Sequence, residues 1–230
     1  MNPGATVLRA ASGGPSALAG VRLTLLGVGA MSSPRYRPAG LVVAWRHRRV
    51  MFDGGGEATP APPLDAWLVC DARAELIADI RRRGRALHVE PGVARWHADG
   101  VDIAPMPVAH TSHPTYGYLI TIAGRTVVWA PEFLEFPTWA AGADLMFADA
   151  AGWRAPIRFA GGTGGHACVL DTAEAARRNH VRRLVFAHIG RPAIRARDAG
   201  EPLPYGEWGY EGRVYRMAIS PLSTVEGVAR

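Results

Sequence analysis

No lysine occurs anywhere in the 230 residues, so the basic excess, a formal net charge of +6, is carried by arginine alone. That absence removes Schiff-base chemistry and the phosphate-cradling lysine of a P-loop from the chain's repertoire. Cysteine is almost as scarce. Cys70 and Cys168 are the only two, too few for a disulfide framework and without the C-x-x-C spacing of a structural zinc site, which makes a reducing cytoplasm the expected compartment. Long apolar runs are missing as well: stretches such as Leu41 to Trp45 and Val127 to Ala130 fall far short of the roughly 18 residues a spanning helix needs, so no membrane association is expected. Residues 1–20 are rich in Ala, Gly and Ser and lack the basic start and apolar stretch of a secretory signal. They read as a flexible leader ahead of one domain over 21–230, a length sufficient to bury one sizeable core.

The arginines are spread along the chain except between Arg81 and Arg85, where they fall at the end of an expected helix and read as a solvated face. Nucleic acid is therefore not the expected partner. A small-molecule substrate, phosphate-bearing in view of the basic balance, is preferred, and self-association as a homodimer stays open.

Short β-rich runs dominate the text. Val21 to Leu26, Leu41 to Trp45 and Val50 to Phe52 read as a strand and a hairpin, and Phe52-Asp53-Gly54-Gly55-Gly56 ends the last of these in a carboxylate followed by glycines. Leu64 to Val69 and then Ala72 to Arg83, with Leu76, Ile77 and Ile80 at helical spacing, predict a strand and a helix that Asp71 would cap. Further strands are expected over Ala86 to Val89, Val101 to Ala109, Tyr116 to Ile122, Arg125 to Ala130 and Asp144 to Ala148, the third and fourth forming a hairpin over Ala123-Gly124. A helix over Asp171 to Asn179, capped by Asp171 or Thr172, leads into a strand from Arg183 to Ala187. Beyond Gly190 the sequence predicts loops, with Arg195 to Tyr210 a candidate lid; Trp139, Trp153, Trp208, Tyr205 and Tyr210 either line a pocket there or pack as ordinary core.

Asp53, Asp71, His110, Glu132, His166 and His188 all stand at the ends of apolar runs. Imidazoles and carboxylates gathered at one edge of a sheet suit zinc, manganese or iron(II), whereas any one of them alone is an ordinary capping or surface group.

In order and spacing, Leu23-Thr24-Leu25-Leu26-Gly27-Val28-Gly29 followed by Phe52-Asp53-Gly54-Gly55 resembles the opening half of the metallo-β-lactamase-fold hydrolases. Thr115-Tyr116-Gly117-Tyr118-Leu119 after His110, Trp129-Ala130-Pro131-Glu132-Phe133, Gly165-His166 and Leu184-Val185-Phe186-Ala187-His188-Ile189 resemble the branch of that family containing the cyclic phosphodiesterase of phosphonate breakdown and the tRNA 3′-end-processing endonucleases. The resemblance implies an α/β architecture, the four-layer αββα sandwich, and one divalent metal ion, zinc first, with manganese or iron as alternatives.

The family's H-x-H-x-D-H motif is rewritten. Aligned on Leu68-Val69-Cys70, its positions are held by Asp71, Arg73, Glu75 and Leu76, and neither arginine nor leucine offers a lone pair to a metal. His110, Glu132 and His188 match surviving ligand positions, and with Asp71, Glu75 or Asp53 they would complete a mononuclear site. His113 is a second candidate for the His110 position. His166 matches the proton donor of the tRNA-processing relatives, and Arg73 either supplies charge in place of one metal, beside Asp71, or merely neutralises Asp71 and Glu75. Two functions follow: a metal-dependent hydrolase with an altered site acting on a phosphodiester or related ester, or a catalytically silent member, holding no metal, that binds a small molecule or a partner protein.

Overall fold

The computed structural model describes residues 20–217. The leader expected over 1–20, apart from Gly20, and residues 218–230 of the expected domain lie outside them.

The chain begins with β1 (Val21–Gly27), β2 (Gly40–Trp45), β3 (Arg48–Asp53) and β4 (Ala66–Leu68), followed by α1 (Ile77–Ala86). A second run of strands comprises β5 (Trp96–Ala98), β6 (Val101–Val108), β7 (Thr115–Ile122), β8 (Arg125–Ala130) and β9 (Leu145–Ala150), with the two-residue strands β10 (Ile157–Arg158) and β11 (Gly165–His166) behind them. Then come α2 (Val169–Arg178), β12 (Leu184–Ile189), α3 (Arg191–Asp198), β13 (Glu207–Trp208) and β14 (Val214–Met217). Two large sheets result, a five-stranded one in the order β14-β1-β2-β3-β4 and a seven-stranded one in the order β13-β12-β9-β8-β7-β6-β5.

Alternation explains how they face each other. Val21, Leu23 and Leu25 of β1 and Leu41 and Val43 of β2 turn inward to meet Ile103, Ile120, Val127, Trp129 and Phe147 of the seven-stranded sheet in one buried cluster. Val42, Met51 and Trp67 face the opposite way, where Ile80 of α1 covers them in a second cluster. On the far side, α2 contacts β9 and β12, burying Ala173 and Ala176. The layers are thus helix, sheet, sheet, helix, as the four-layer expectation required. β8, β9 and β12 run parallel, so the carboxyl ends of all three emerge on one rim.

Several local expectations are corrected. The helix predicted over Ala72 to Arg83 starts at Ile77, because Asp71 uses its Oδ1 to accept a hydrogen bond from the Arg73 amide at 2.7 Å, closing a local turn instead of capping a helix. Residues Ala86 to Val89 finish α1 and turn rather than forming a strand, and Gly84 lies so close to Pro91 that a Cβ there would meet its ring at 2.5 Å. α2 begins two residues earlier than expected, with Cys168 at the N-cap. After Gly190 the predicted loops give way to α3, opened by Pro192 in its first turn and burying Ala193, Ile194 and Ala196. Arg195 to Tyr210 is accordingly built into the fold rather than hung over it, since β13 pairs with β12. Trp153 stacks on Trp208 with ring centroids 6.0 Å apart, and Tyr205 donates its hydroxyl to the Val181 carbonyl.

Candidate metal centre

Strand ends and the loops that follow them, on the rim where β8, β9 and β12 end, bring the titratable groups together. His110 follows β6, Glu132 follows β8, Asp149 lies in β9 and His188 in β12. His188 has a φ of 62°, at an irregularity in the β9–β12 pairing between Phe186 and Ile189, so the backbone leaves regular strand geometry at the residue that matters. Gly164 permits another close approach: a Cβ on it would sit 2.0 Å from the His110 carbonyl oxygen, so no side chain fits between the His166 loop and the His110 turn.

Both buried imidazoles are oriented by backbone. His110 donates from Nδ1 to the Gly165 carbonyl at 2.8 Å, and His188 from Nδ1 to the Pro131 carbonyl at 2.9 Å. Each ring is thereby fixed in the tautomer that leaves Nε2 with its lone pair, the arrangement a metal-binding histidine requires. Burial lowers the pKa of His110, and it takes that of His188 down to about 3, so both rings are neutral at neutral pH.

Glu132 lies beside both, its Oε2 3.7 Å from the free Nε2 of His110 and its Oε1 3.4 Å from Nδ1 of His188, the nitrogen already committed to Pro131. Donors about 2.1 Å from a tetrahedral ion are about 3.4 Å from each other, so the glutamate and His110 are spaced close to one edge of such a polyhedron. Its side chain keeps 29% of its exposure, which leaves it reachable from the cleft. Burial nevertheless pushes its pKa up to about 8, helped by the like charges of Asp53, Asp149 and Glu75 and opposed by His166. A carboxyl kept protonated by burial, and secondarily by its carboxylate neighbours, is one that a cation would readily ionise.

His166 donates from Nδ1 to Asp149 Oδ2 at 2.7 Å. Burial works against charge on this imidazole, but Asp149 outweighs it and the pKa is raised. The His166 ring packs 4.6 Å from that of His110 and 4.8 Å from that of His188, centroid to centroid. One donor atom each from Asp149, His166 and His188 lie within 4.8 Å of one another, a grouping able to hold a metal ion. Asp149 is fully buried, and its oxygens also accept from the amides of Phe133 and Ala151. Sequence reasoning passed over this residue. The available signal was an acid inside the otherwise apolar Leu145-Met146-Phe147-Ala148-Asp149-Ala150, since a buried carboxylate in a core strand must have partners.

The remaining candidates fall differently. Asp53, at φ 47°, accepts from the Cys70 amide with Oδ1 and from Trp129 Nε1 with Oδ2, both at 2.7 Å, so its oxygens are already committed to joining the two sheets. Asp71 is buried and accepts from Nε2 of His113 at 2.9 and 3.0 Å. It is His113, and not Arg73, that faces this carboxylate. Arg73 and Glu75 are exposed, and among the described residues Arg73 forms no ion pair, so the neutralising pairing with Asp71 and Glu75 is absent. A narrow cleft of about 50 Å³ is lined by Asp53, Asp71, Glu75, Glu132, His188 and Met31 among others, with no arginine in its walls. Of its four acids, Asp53 is committed to Cys70 and Trp129 and Asp71 to His113, which leaves Glu75, Glu132 and the His188 imidazole to meet a cation there.

Two facing sheets between helical layers, with histidines and carboxylates converging at one rim, define a metallo-β-lactamase-fold protein. The chain belongs to the β-lactamase superfamily domain family, whose model matches residues 56–189. Its fold is similar to that of the metallo-β-lactamase fold protein YhfI from Bacillus subtilis, at a TM-score of 0.67 and 16% identity over 86% of this chain and 100% of that one. A diphosphatase from the PhnP family matches at a TM-score of 0.66 and 15% identity over 87% and 98% of the two chains. Zinc-bound PqqB from Methylobacterium extorquens matches at 0.63 and 14%, over 85% and 100%. Curated proteins offer no match by sequence. Among the described residues no helix is long and apolar enough to cross a membrane.

Proposed function

We propose that this chain is a metal-dependent hydrolase with an altered, mononuclear centre acting on a phosphodiester or a related ester. The observation that carries the reading is the gathering of His110, Glu132, Asp149, His166 and His188 at one rim, with donor atoms of Asp149, His166 and His188 within 4.8 Å of one another. His110, Glu132 and His188 would hold the ion, zinc first, with Asp71 or a water completing the set. When bound, the ion supplies Lewis acidity, lowering the pKa of water and offsetting charge that develops on the phosphoryl oxygens. His166, with Asp149 stabilising its charged form, holds a proton at Nε2 for the departing oxygen. Asp149 keeps the ring in that orientation and does not itself take up the proton. Similarity to a diphosphatase of the PhnP family supports the substrate class by analogy of fold.

The test is elemental analysis of the purified protein together with turnover of bis(p-nitrophenyl) phosphate. The reading requires near-stoichiometric zinc, manganese or iron and turnover that chelation removes. A protein that stays metal-free after growth in supplemented medium, and is inert, is the silent alternative; the hold of His113 on Asp71 favours it, because that bond occupies a carboxylate otherwise open to an ion.

A further inference from the structure

At the opposite rim of the seven-stranded sheet lies a second cavity. Arg125 opens β8, Asp144 immediately precedes β9, and Arg182 and Arg183 precede β12, so these residues sit at the amino ends of the strands whose carboxyl ends carry Glu132, Asp149 and His188. Strands of six residues rising about 3.3 Å each separate the two rims by roughly 17 Å. Together with Arg216 and Tyr215 of β14 these groups line a pocket of about 370 Å³, within the range of small-molecule sites.

Its charge is unbalanced. Asp144 serves two arginines at once, accepting from Arg125 and Arg182 at 3.0 Å each. Arg183 is paired with Glu207, which also takes Arg213, and Arg216 has no ion-pair partner among the described residues. Arg125, Arg182 and Arg183 keep 47%, 69% and 47% of their side-chain exposure, so their remaining N–H groups are free to reach a ligand. A second observation points the same way. Tyr215 is 2% exposed, and its hydroxyl has no hydrogen-bond partner among the described residues, though buried hydroxyls ordinarily have one. The Arg183 and Arg213 guanidinium carbons lie 4.7 and 5.2 Å from its ring centroid, and burial pushes its pKa up to about 12, keeping it a neutral donor.

We propose that this arginine-walled pocket binds a small phosphate-bearing anion, held by the planar guanidinium groups of Arg125, Arg182 and Arg216 with Tyr215 at its base. Guanidinium matches phosphate bidentately, and with Arg183 paired to Glu207 the remaining three, Arg125, Arg182 and Arg216, face the single carboxylate of Asp144, a net positive charge that suits an anion. The site is separate from the candidate metal centre and does not depend on the hydrolase reading.

The experiment is isothermal titration of the chelated full-length protein with inorganic pyrophosphate and with ADP at physiological salt. Both are expected to bind one equivalent, with at least about a tenfold loss of affinity in the Arg182→Gln/Arg216→Gln double variant. Both positions are exposed, so that variant should fold. Tyr215→Phe is expected to weaken binding about fivefold, the worth of one hydrogen bond, while a His188→Ala variant keeps it. Affinity unchanged in the double arginine variant overturns the proposal. So does an equal loss in Arg81→Gln/Arg85→Gln, which would make the attraction one of general charge, or a loss confined to His188→Ala, which would move the anion to the metal cleft.

Discussion

Nδ1 of His166 and Oδ2 of Asp149 are 2.7 Å apart, and the carboxylate in that pair is completely removed from solvent. A buried charge with three donors directed at it is held rigidly, so the imidazole it orients is held too. The geometry allows His166 two occupations, ligand or proton donor, and they part under substitution. His166→Ala is expected to retain its metal while kcat for phosphodiester turnover falls by roughly 10²- to 10⁴-fold, the usual worth of a positioned acid. Loss of metal along with activity would instead assign the residue to the ion.

Glu132 gives a pH signature. Folded, its pKa is about 8 against an ordinary 4.5, so folding takes up a proton between those values and the contribution to stability falls as pH rises through that window. His188 runs the other way, from 6.5 down to about 3, its contribution growing as pH rises and complete above 6.5. Between pH 6.5 and 8 the His188 contribution is constant, so the glutamate is read against a Glu132→Gln variant, in which the raised His166 pKa also falls back with the lost carboxylate. Chelated wild-type protein should lose up to about 2 kcal/mol more than the variant over that interval in denaturant titrations. Metal should remove the difference by ionising Glu132, and equal slopes for the two proteins would contradict the assignment.

Arg73 is exposed and unpaired among the described residues, so its removal should leave stability within about 0.5 kcal/mol. If its guanidinium reaches a substrate phosphate from the cleft edge, Arg73→Ala raises KM several-fold with kcat and metal content nearly unchanged. Steady-state kinetics with bis(p-nitrophenyl) phosphate separates this from a role in charge replacement, where kcat would fall. Unchanged metal content and unchanged kinetics would leave Arg73 without a part in the reaction.

What the sequence disclosed follows the strength of its periodic signals. The sheets were legible because Val21 to Leu25 alternates apolar with polar residues and Leu184 to Ala187 is apolar throughout, patterns that half-buried and fully buried strands produce. α3 was hidden because Arg191-Pro192-Ala193-Ile194-Arg195-Ala196-Arg197-Asp198 has just one large apolar residue and a proline, which reads as loop until neighbouring elements bury its alanines. At the centre, His110, Glu132 and His188 could be named from strand-end placement and resemblance. Asp149 was missed because the expected strand stopped at Ala148, although an acid beside so apolar a run is a signal, and the bond between Asp71 and His113 spans 42 residues that no local pattern connects.

Asp53 tests the opposite kind of claim, that a conspicuous acid beside glycines serves architecture. Its Oδ1 takes the Cys70 amide next to β4, its Oδ2 takes Trp129 Nε1 of β8 in the facing sheet, and its carbonyl oxygen takes Trp67 Nε1 at 2.7 Å. Burial raises its pKa, and the bonds from Cys70 and Trp129 restrain that rise. Removing the carboxylate leaves two donors without partners, each costing about 1–3 kcal/mol if nothing replaces it. Asp53→Ala is therefore expected to lose roughly 2–5 kcal/mol in equilibrium denaturation, and Asp53→Asn less, because one amide oxygen can still accept one of the two bonds. The decisive comparison is metal affinity in whatever fraction remains folded. If Asp53 is a clamp, the folded Asp53→Asn protein binds its ion about as well as the parent. If its affinity falls by orders of magnitude while stability hardly changes, the carboxylate belongs to the metal and the two sheets are joined at that point by other contacts.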